Sequence, residues 1–211
     1  MNKYVCILYI FIMSTYSIYG QEIDSRKELS FGFKACINYS TVFDMKTDNS
    51  NISGKTGFAG GAFLSIPLGK YVGIQPEVVL SQRGFKSSGN YKLKEYDLKR
   101  TSNYIDLPLM VFFKPLETVT ILLGPQFSYL MSQTDVVTNT SMSLQQEQQF
   151  KSESYRRTVF CLTGGLDFNF NNIVFGLRLG SDLRHNKEDY LSGTPKYKNM
   201  WVQTSVGFRI Y

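Results

Sequence analysis

The sequence predicts an all-β protein, specifically an eight-stranded antiparallel up-and-down transmembrane β-barrel. From residue 30 onward, apolar and polar residues alternate with a period of two, and no stretch shows a convincing helical period. Aromatic residues make up 15% of the chain, and glycines recur within the alternating segments. The connections between these segments alternate strictly between short and long, an asymmetry typical of barrels that span an outer membrane.

The start of the chain predicts a secretory signal peptide. Lys3 precedes an apolar run at residues 5–13, and small and polar residues follow up to residue 20. A single membrane anchor is the alternative, but it needs about 20 apolar residues, and this run is about half as long. We therefore expect a signal peptide at residues 1–20, a short N-terminal periplasmic segment at 21–29 and one outer-membrane barrel domain at 30–211.

The alternation and the turn signals predict eight strands. They cover residues 30–40, 56–66, 71–83, 103–114, 118–130, 158–170, 172–182 and 197–211, and the long connections between them are 41–55, 84–102, 131–157 and 183–196. In an up-and-down barrel consecutive connections lie at opposite ends, so all four long connections are expected at one end as polar external loops. An even strand number places both termini at the other end, in the periplasm.

The segment YVGIQPEVVLSQRG at residues 71–84 has one apolar and one polar face, and either could point inward. In a lipocalin-type barrel the apolar face surrounds a ligand. Here the apolar faces are too bulky for an eight-stranded interior, and the polar faces combine small residues with charges of both signs. Strands of about 10 residues also match the tilted span of a bilayer. We therefore expect the apolar faces to contact lipid and Glu77 and Arg83 to point inward.

Charged residues on the polar faces are expected to neutralise one another, because an unpaired buried charge is costly. The sequence predicts a lumen ion network formed by Lys34, Glu77, Asp106 and Arg178. Glu77 and Asp106 could instead form a catalytic carboxylate pair, but a filled lumen leaves no route for a substrate. We therefore predict no catalytic residue, no cofactor and no metal, and a protein that is not an enzyme.

Other reactive residues favour the same conclusion. The single histidine, His185, lies in the last long connection without a clear acidic partner, whereas a lipid hydrolase would need a Ser–His pair. The glycines at 57–63 lie inside a predicted strand and lack the helix that a nucleotide-binding loop requires. Cys36 and Cys161 fall on strands that are not neighbours, so we expect two free, buried thiols.

Three prolines conflict with a closed sheet, because proline donates no ladder hydrogen bond. Pro76, Pro108 and Pro125 lie at similar heights on the third, fourth and fifth predicted strands. The sequence therefore predicts a row of bulges or a local bend at this height. Three unrelated proline positions are the alternative.

Five segments carry a family resemblance. They are GFKACINYS, KTGFAGGAFLSIPLG, GIQPEVVLSQRG, YIDLPLMVFFKP and LLGPQFSYLMS, of which QPE (75–77), LPL (107–109) and GPQ (124–126) are the most distinctive parts. In this order they resemble the PorT-like outer-membrane β-barrel family of Gram-negative bacteria, over roughly residues 30–211. The resemblance implies an eight-stranded barrel in the outer membrane and little about activity. The member that names the family is associated with a protein-secretion apparatus, so an accessory role in secretion is one alternative.

The external loops are the predicted contact surface for partners. The chain carries a net charge of +6, and removal of Lys3 with the signal peptide leaves +5. We expect no nucleic-acid partner, because the protein is exported and its positive charge is spread along the chain. The most basic loop predicts an anion-binding site at Lys92, Lys94, Lys99 and Arg100, facing lipopolysaccharide; a solvated loop without a partner is the alternative.

These observations predict a monomeric, integral outer-membrane barrel in contact with lipid and lipopolysaccharide. Its external loops would bind a protein partner or another surface. The second alternative is a secreted or periplasmic lipocalin-like barrel that binds an apolar ligand.

Overall fold

The computed structural model describes residues 25–43, 50–91, 94–139, 142–147, 157–185 and 197–211. A 3-10 turn at Ser25–Lys27 precedes nine strands: β1 (Ser30–Phe43), β2 (Ser50–Pro67), β3 (Val72–Tyr91), β4 (Lys94–Leu116), β5 (Val119–Asn139), β6 (Met142–Glu147), β7 (Thr158–Phe170), β8 (Ile173–Asp182) and β9 (Lys198–Ile210). In the described part of the chain, no helix has the length and apolar character needed to cross a membrane. The predicted signal peptide, residues 1–20, lies outside the described residues.

Eight of the strands close into an antiparallel barrel, which confirms the predicted fold class. Strands β1 to β5 pair in chain order, β5 then pairs with β7, and β7, β8 and β9 follow. Strand β9 returns to β1 in one continuous register, from Phe31↔Ile210 to Phe43↔Lys198. This closure is essential because lipid offers no hydrogen-bond partner to a free sheet edge. Among the described strands, the short strand β6 pairs with the end of β5 alone, beyond the barrel wall.

The structure confirms that the apolar stripes point outward. On β3, Val78 and Leu80 are 54% and 56% exposed, whereas Glu77 and Arg83 are 5% and 1% exposed. The same alternation extends over all eight barrel strands and makes a continuous apolar band around the outside. Apolar surface in water costs about 25 cal/mol per Å², so a band of this extent is stable only where lipid covers it. This arrangement is the inverse of a lipocalin-like barrel, and that alternative is not supported.

The three tight connections lie at one end of the barrel, here called the short-turn end. They cover residues 68–71, 117–118 and 171–172. In the last of them Asn171 has a φ of 52°, a left-handed value that asparagine tolerates better than most residues. The 3-10 turn docks at the same end, where the Arg26 guanidinium lies 5.5 Å from the Tyr71 ring and 3.7 Å from a Glu117 carboxylate oxygen.

At the opposite end, here called the long-connection end, the predicted loop 84–102 is wrong. Strands β3 and β4 continue through it as a paired hairpin, from Gly84↔Thr101 to Tyr91↔Lys94. Residues 50–54 of β2 and 134–139 of β5 flank this hairpin, and β6 adds a fifth strand. We call these five segments the extension sheet. The sequence gives no clear signal for the extension sheet. Its outer face contacts water and needs no apolar stripe, so the period-two alternation of apolar and polar residues is weak there.

The other predicted long loops are also shortened by strand residues. Strand β2 begins at Ser50 within the predicted loop 41–55, and β5 extends to Asn139 within the predicted loop 131–157. The rest of these connections (residues 44–49, 140–141 and 148–156) and most of the last one (186–196) lie outside the described residues.

The three prolines interrupt the hydrogen-bond ladders without producing bulges. Strands β3 and β4 keep one register on both sides of Pro108, and two positions there are unpaired. The same gap occurs at Pro76 between β2 and β3 and at Pro125 between β4 and β5. The register shifts lie elsewhere, for example between Asn103 and Tyr104. The predicted row of bulges is therefore wrong, because the loss of one donor opens the ladder without requiring an extra residue.

Candidate functional site

The barrel lumen is the first candidate site, because charged side chains concentrate there. Alternate residues of each strand point inward and fill the interior with charged, amide, hydroxyl and aromatic groups. Two cavities within it have volumes of about 10 Å³ each, which is room for about one water molecule. A lumen packed in this way is typical of eight-stranded barrels.

A four-residue ion cluster crosses the lumen, and we call it the central cluster. Lys34 on β1 donates to Glu77 on β3. Arg178 on β8 donates to both carboxylate oxygens of Asp167 on β7, over 2.6 and 2.9 Å, and lies 3.9 Å from Glu77. Gln75 donates to the second oxygen of Glu77 over 2.9 Å. Three members of the predicted network meet here, and their pairing connects opposite walls of the barrel.

Asp106, the fourth member of the predicted network, belongs to a second cluster. Its carboxylate accepts hydrogen bonds from the Arg83 guanidinium and from the Ser81 hydroxyl. The long Arg83 side chain reaches back along β3 to the level of Asp106 on β4, where it supplies the counter-charge. The structure therefore divides the predicted network into two ion clusters at different heights in the lumen.

Trp201, the single tryptophan of the chain, lies against the second cluster. The guanidinium carbon of Arg83 is 3.6 Å from the Trp201 ring centroid and 4.9 Å from that of Tyr104, so aromatic faces enclose the cation. The residue opposite Trp201 on β8 is Gly180, where a Cβ atom would lie 2.2 Å from the indole. This glycine therefore provides the space for the indole.

The candidate reactive groups of the sequence, two cysteines and one histidine, have structural positions in the fold. Cys36 and Cys161 are free and buried, as predicted. The Cys161 thiol donates to Asp182 over 3.2 Å, and the Asn199 side chain donates to the same carboxylate over 2.6 Å. His185 is half-buried just beyond β8. Among the described residues, no group of three or more His, Cys, Asp or Glu side chains could hold a metal ion.

Arg100 closes the lumen at the long-connection end. Its Nε and Nη2 atoms donate to the two oxygens of Asp135, each over 2.7 Å, and Nη1 donates to the Tyr197 hydroxyl over 3.1 Å. The Tyr197 ring packs on Phe85 with 5.2 Å between the ring centroids. Val42, Ile52 and Leu98 complete this apolar plug.

The placement of Arg100 corrects part of the predicted anion-binding site. Arg100 is buried, and its guanidinium is occupied by Asp135 and Tyr197, so it is not available to an external anion. Lys92 lies outside the described residues, and Lys94 is the first residue of β4. Lys99 is exposed on the outward face of the extension sheet.

Sequence reasoning missed several residues of these sites. The sequence predicts a long loop at Asp135, and the packing of Trp201 on Arg83 has no sequence signal beyond the inward phase of both residues. Lys55, which contacts Thr101 on the outward side of the extension sheet, also lies in a predicted loop. Its only signal in the sequence is a positive charge next to an alternating segment.

A closed barrel with an apolar exterior and a packed, charged interior defines the class of integral outer-membrane β-barrels. The family described as outer membrane protein beta-barrel domain matches residues 19–185, and the chain belongs to this family. The family places the protein in the outer membrane. No curated protein matches the chain by sequence.

Solved structures of bacterial outer-membrane proteins share this architecture. OprG of Pseudomonas aeruginosa is 13% identical, with 90% of this chain and 100% of that chain covered and a TM-score of 0.52. Ail of Yersinia pestis is 14% identical, with 87% and 99% covered and a TM-score of 0.48. Neisserial surface protein A is 14% identical, with 86% and 99% covered and a TM-score of 0.46. At 13% identity the likeness to OprG shows the fold alone.

The central cluster predicts a large difference between two glutamate substitutions. Glu77→Ala leaves Lys34 and Arg178 without their shared carboxylate in a buried site, at an expected cost of about 3–5 kcal/mol. Glu117→Ala removes a carboxylate that is 58% exposed in a turn, at an expected cost within about 1 kcal/mol. Urea unfolding of both variants in detergent measures these costs, and equal losses would contradict the cluster.

Proposed function

We propose that the protein is a non-enzymatic, non-conducting barrel that displays the extension sheet at the cell surface for contact with other molecules. The observation that carries this proposal is the contrast between the barrel, whose wall and lumen are occupied, and the extension sheet at one of its ends. Lipid covers the barrel wall, and internal contacts occupy the charged lumen. The extension sheet continues past the apolar band and is the surface available for recognition.

The proposed orientation places the short-turn end and both termini in the periplasm. Outer-membrane barrels generally have short periplasmic turns and longer external connections, which supports this assignment. The apolar run near the start of the chain supports export through a signal peptide at residues 1–20, followed by a short periplasmic segment at 21–29. The QPE, LPL and GPQ segments support membership of the PorT-like subgroup and a Gram-negative source.

A stiff contact surface distinguishes this proposal from one based on mobile loops. The Arg100–Asp135 pair fastens β4 to β5, and the Phe85–Tyr197 contact fastens β3 to the start of β9. A surface that is already ordered loses less conformational entropy when it binds. We propose that the monomer uses it to contact a protein partner or the lipopolysaccharide layer. The alternative role in secretion rests on the family resemblance alone.

The proposed orientation predicts opposite labelling of two cysteine variants. Thr138→Cys places a thiol at an exposed position of the extension sheet, and Gly69→Cys places one in an open turn at the short-turn end. A membrane-impermeant maleimide should label the first variant in intact cells and the second only after the outer membrane is permeabilised. Buried Cys36 and Cys161 should remain unlabelled in the parent protein. The reverse pattern would refute the orientation.

The filled lumen predicts that the purified monomer does not act as a general pore. An eight-stranded interior is just wide enough for side chains to fill it, and the two ion clusters and the Arg100 plug occupy it here. Planar bilayers should therefore show no large, stable conductance steps after insertion. A porin reconstituted in the same bilayers provides the positive control, and steady open channels from this protein would overturn the proposal.

A further inference from the structure

We propose that Lys86 and Lys99, with Lys55 beneath them, bind phosphate groups carried on the sugar headgroup of an outer-leaflet glycolipid. This inference rests on the proposed orientation, in which the extension sheet lies outside the cell. It assigns the anion-binding role to the outward face of the sheet near the membrane, away from the tip of the β3–β4 hairpin.

The three lysines lie together on three neighbouring strands. Lys86 on β3 and Lys99 on β4 are directly opposite in the ladder, and both are exposed. Opposite residues of this kind have Cβ atoms about 5 Å apart. Lys55 on β2 extends across Gly84 and donates to the Thr101 hydroxyl. A Cβ atom at position 84 would lie 3.2 Å from the Lys55 side chain, so the glycine provides room for this crossing.

The positive charges at this site repel one another. Burial lowers the pKa of Lys55, and the neighbouring charges of Lys99 and Lys86 lower it further. Among the side chains that the structure describes, none of the three ammonium groups has a carboxylate within salt-bridge distance. Asp97 is exposed on the same outward face of β4, two residues before Lys99. An anion with several oxygens would relieve the repulsion and accept hydrogen bonds from more than one lysine.

A row of polar side chains lies between the lysines and the apolar band. Gln82 on β3 donates to Asn103 on β4 over 3.1 Å, and Asn103 donates to Ser132 on β5 over 2.9 Å. The row follows directly after Leu80 and Ile105, the last apolar residues on this face of β3 and β4. Amide and hydroxyl groups at this level can hydrogen-bond to sugar hydroxyls.

The height of the lysines indicates which lipid carries the phosphate. Lys86 lies six residues beyond Leu80 on β3, which is about 20 Å along the strand and about 15 Å along the membrane normal at the usual tilt. The headgroup layer of a bilayer is only about 5–8 Å deep on each side. Phospholipid phosphates therefore lie below the lysines, whereas phosphates on a saccharide headgroup can reach them.

The test compares lipid binding by two charge variants of the full chain in zwitterionic detergent. Lys55→Gln/Lys86→Gln/Lys99→Gln removes the proposed site, and Lys27→Gln/Lys70→Gln removes two lysines that lie at the short-turn end. The probe is lipopolysaccharide with phosphorylated inner-core sugars, and the dissociation constant is measured at low salt, about 0.01 M, and again at about 1 M, where charges are screened. We expect the site variant to weaken binding by roughly tenfold to a hundredfold at low salt and the control variant by less than about twofold.

Two further probes distinguish the source of the phosphate. The same lipopolysaccharide stripped of phosphate should bind the parent protein as weakly as the intact form binds the site variant. Phosphatidylglycerol should bind both proteins equally, because its phosphate lies too low. If phosphatidylglycerol reproduces the difference between the two proteins, the glycolipid assignment is wrong.

Equal affinities of the parent protein and the site variant for intact lipopolysaccharide would overturn the proposal. Heat-modified mobility on gels verifies that each variant is folded. If the triple variant does not fold, the double variant Lys86→Gln/Lys99→Gln replaces it, because both side chains are exposed. This double variant must also bind lipopolysaccharide more weakly than the parent protein does. Binding of lipopolysaccharide to the protein in detergent does not depend on which side of the membrane the extension sheet faces. A negative binding result therefore refutes the lysine site and leaves the orientation to be measured by maleimide labelling.

Discussion

The inability of lipid to hydrogen-bond or to solvate charge determines most features of this molecule. Every backbone group in the membrane must find its partner within the sheet, so β9 must return to β1. Charged side chains within the membrane turn inward, where several meet an opposite charge, as Glu77 does with Lys34 and Asp106 with Arg83. The apolar side chains can then occupy the whole outer wall. The filled lumen follows from the same requirement, because charges held close enough to pair leave little open space.

Lipid no longer imposes this constraint beyond the membrane boundary, and the outward-facing residues become polar and then charged there. Along the outward face of β3 the residues change from Leu80 to Gln82 and then to Lys86. Strand pairing continues, because the sheet still satisfies its own backbone groups. The inward face remains packed as far as the Phe85–Tyr197 contact and the Arg100–Asp135 pair. The outcome is a single sheet whose outward face contacts lipid at one level and water at another.

The sequence predicts those parts of the structure that depend on which face a residue occupies. The inward direction of Glu77 follows from the alternation alone, and so does the outward direction of Val78. The partners of the inward residues do not follow, because the tilt and stagger of the strands decide which residues meet. The pairing of Asp106 with Arg83 also depends on the reach of one long side chain. Lys55 lies in a predicted loop, because the register shift between Gly54 and Ala59 interrupts the alternation at this point of β2.

The extension sheet shows a second reason why part of the structure could not be predicted from the sequence. Apolar alternation marks side chains that are buried against lipid or a core, and the exposed outward side chains of Lys86 and Lys99 contact neither. The ladder between β3 and β4 persists there through backbone hydrogen bonds, which leave little trace in the side-chain pattern. Turn chemistry gives no signal either, because the two residues between Tyr91 and Lys94 in the sequence are a lysine and a leucine.

The apolar stripes contact lipid and the charged faces line the lumen. Fluorescence quenching by lipids with brominated acyl chains distinguishes these two environments. Trp201 is 3% exposed and lies against Arg83 in the lumen, so brominated lipid should leave its emission nearly unchanged. Leu109→Trp in a Trp201→Phe background places the indole at a position of β4 that is 51% exposed to lipid, and its emission should be strongly quenched. Strong quenching of Trp201 together with weak quenching of the Leu109→Trp variant would show that the charged faces, and not the apolar stripes, contact lipid.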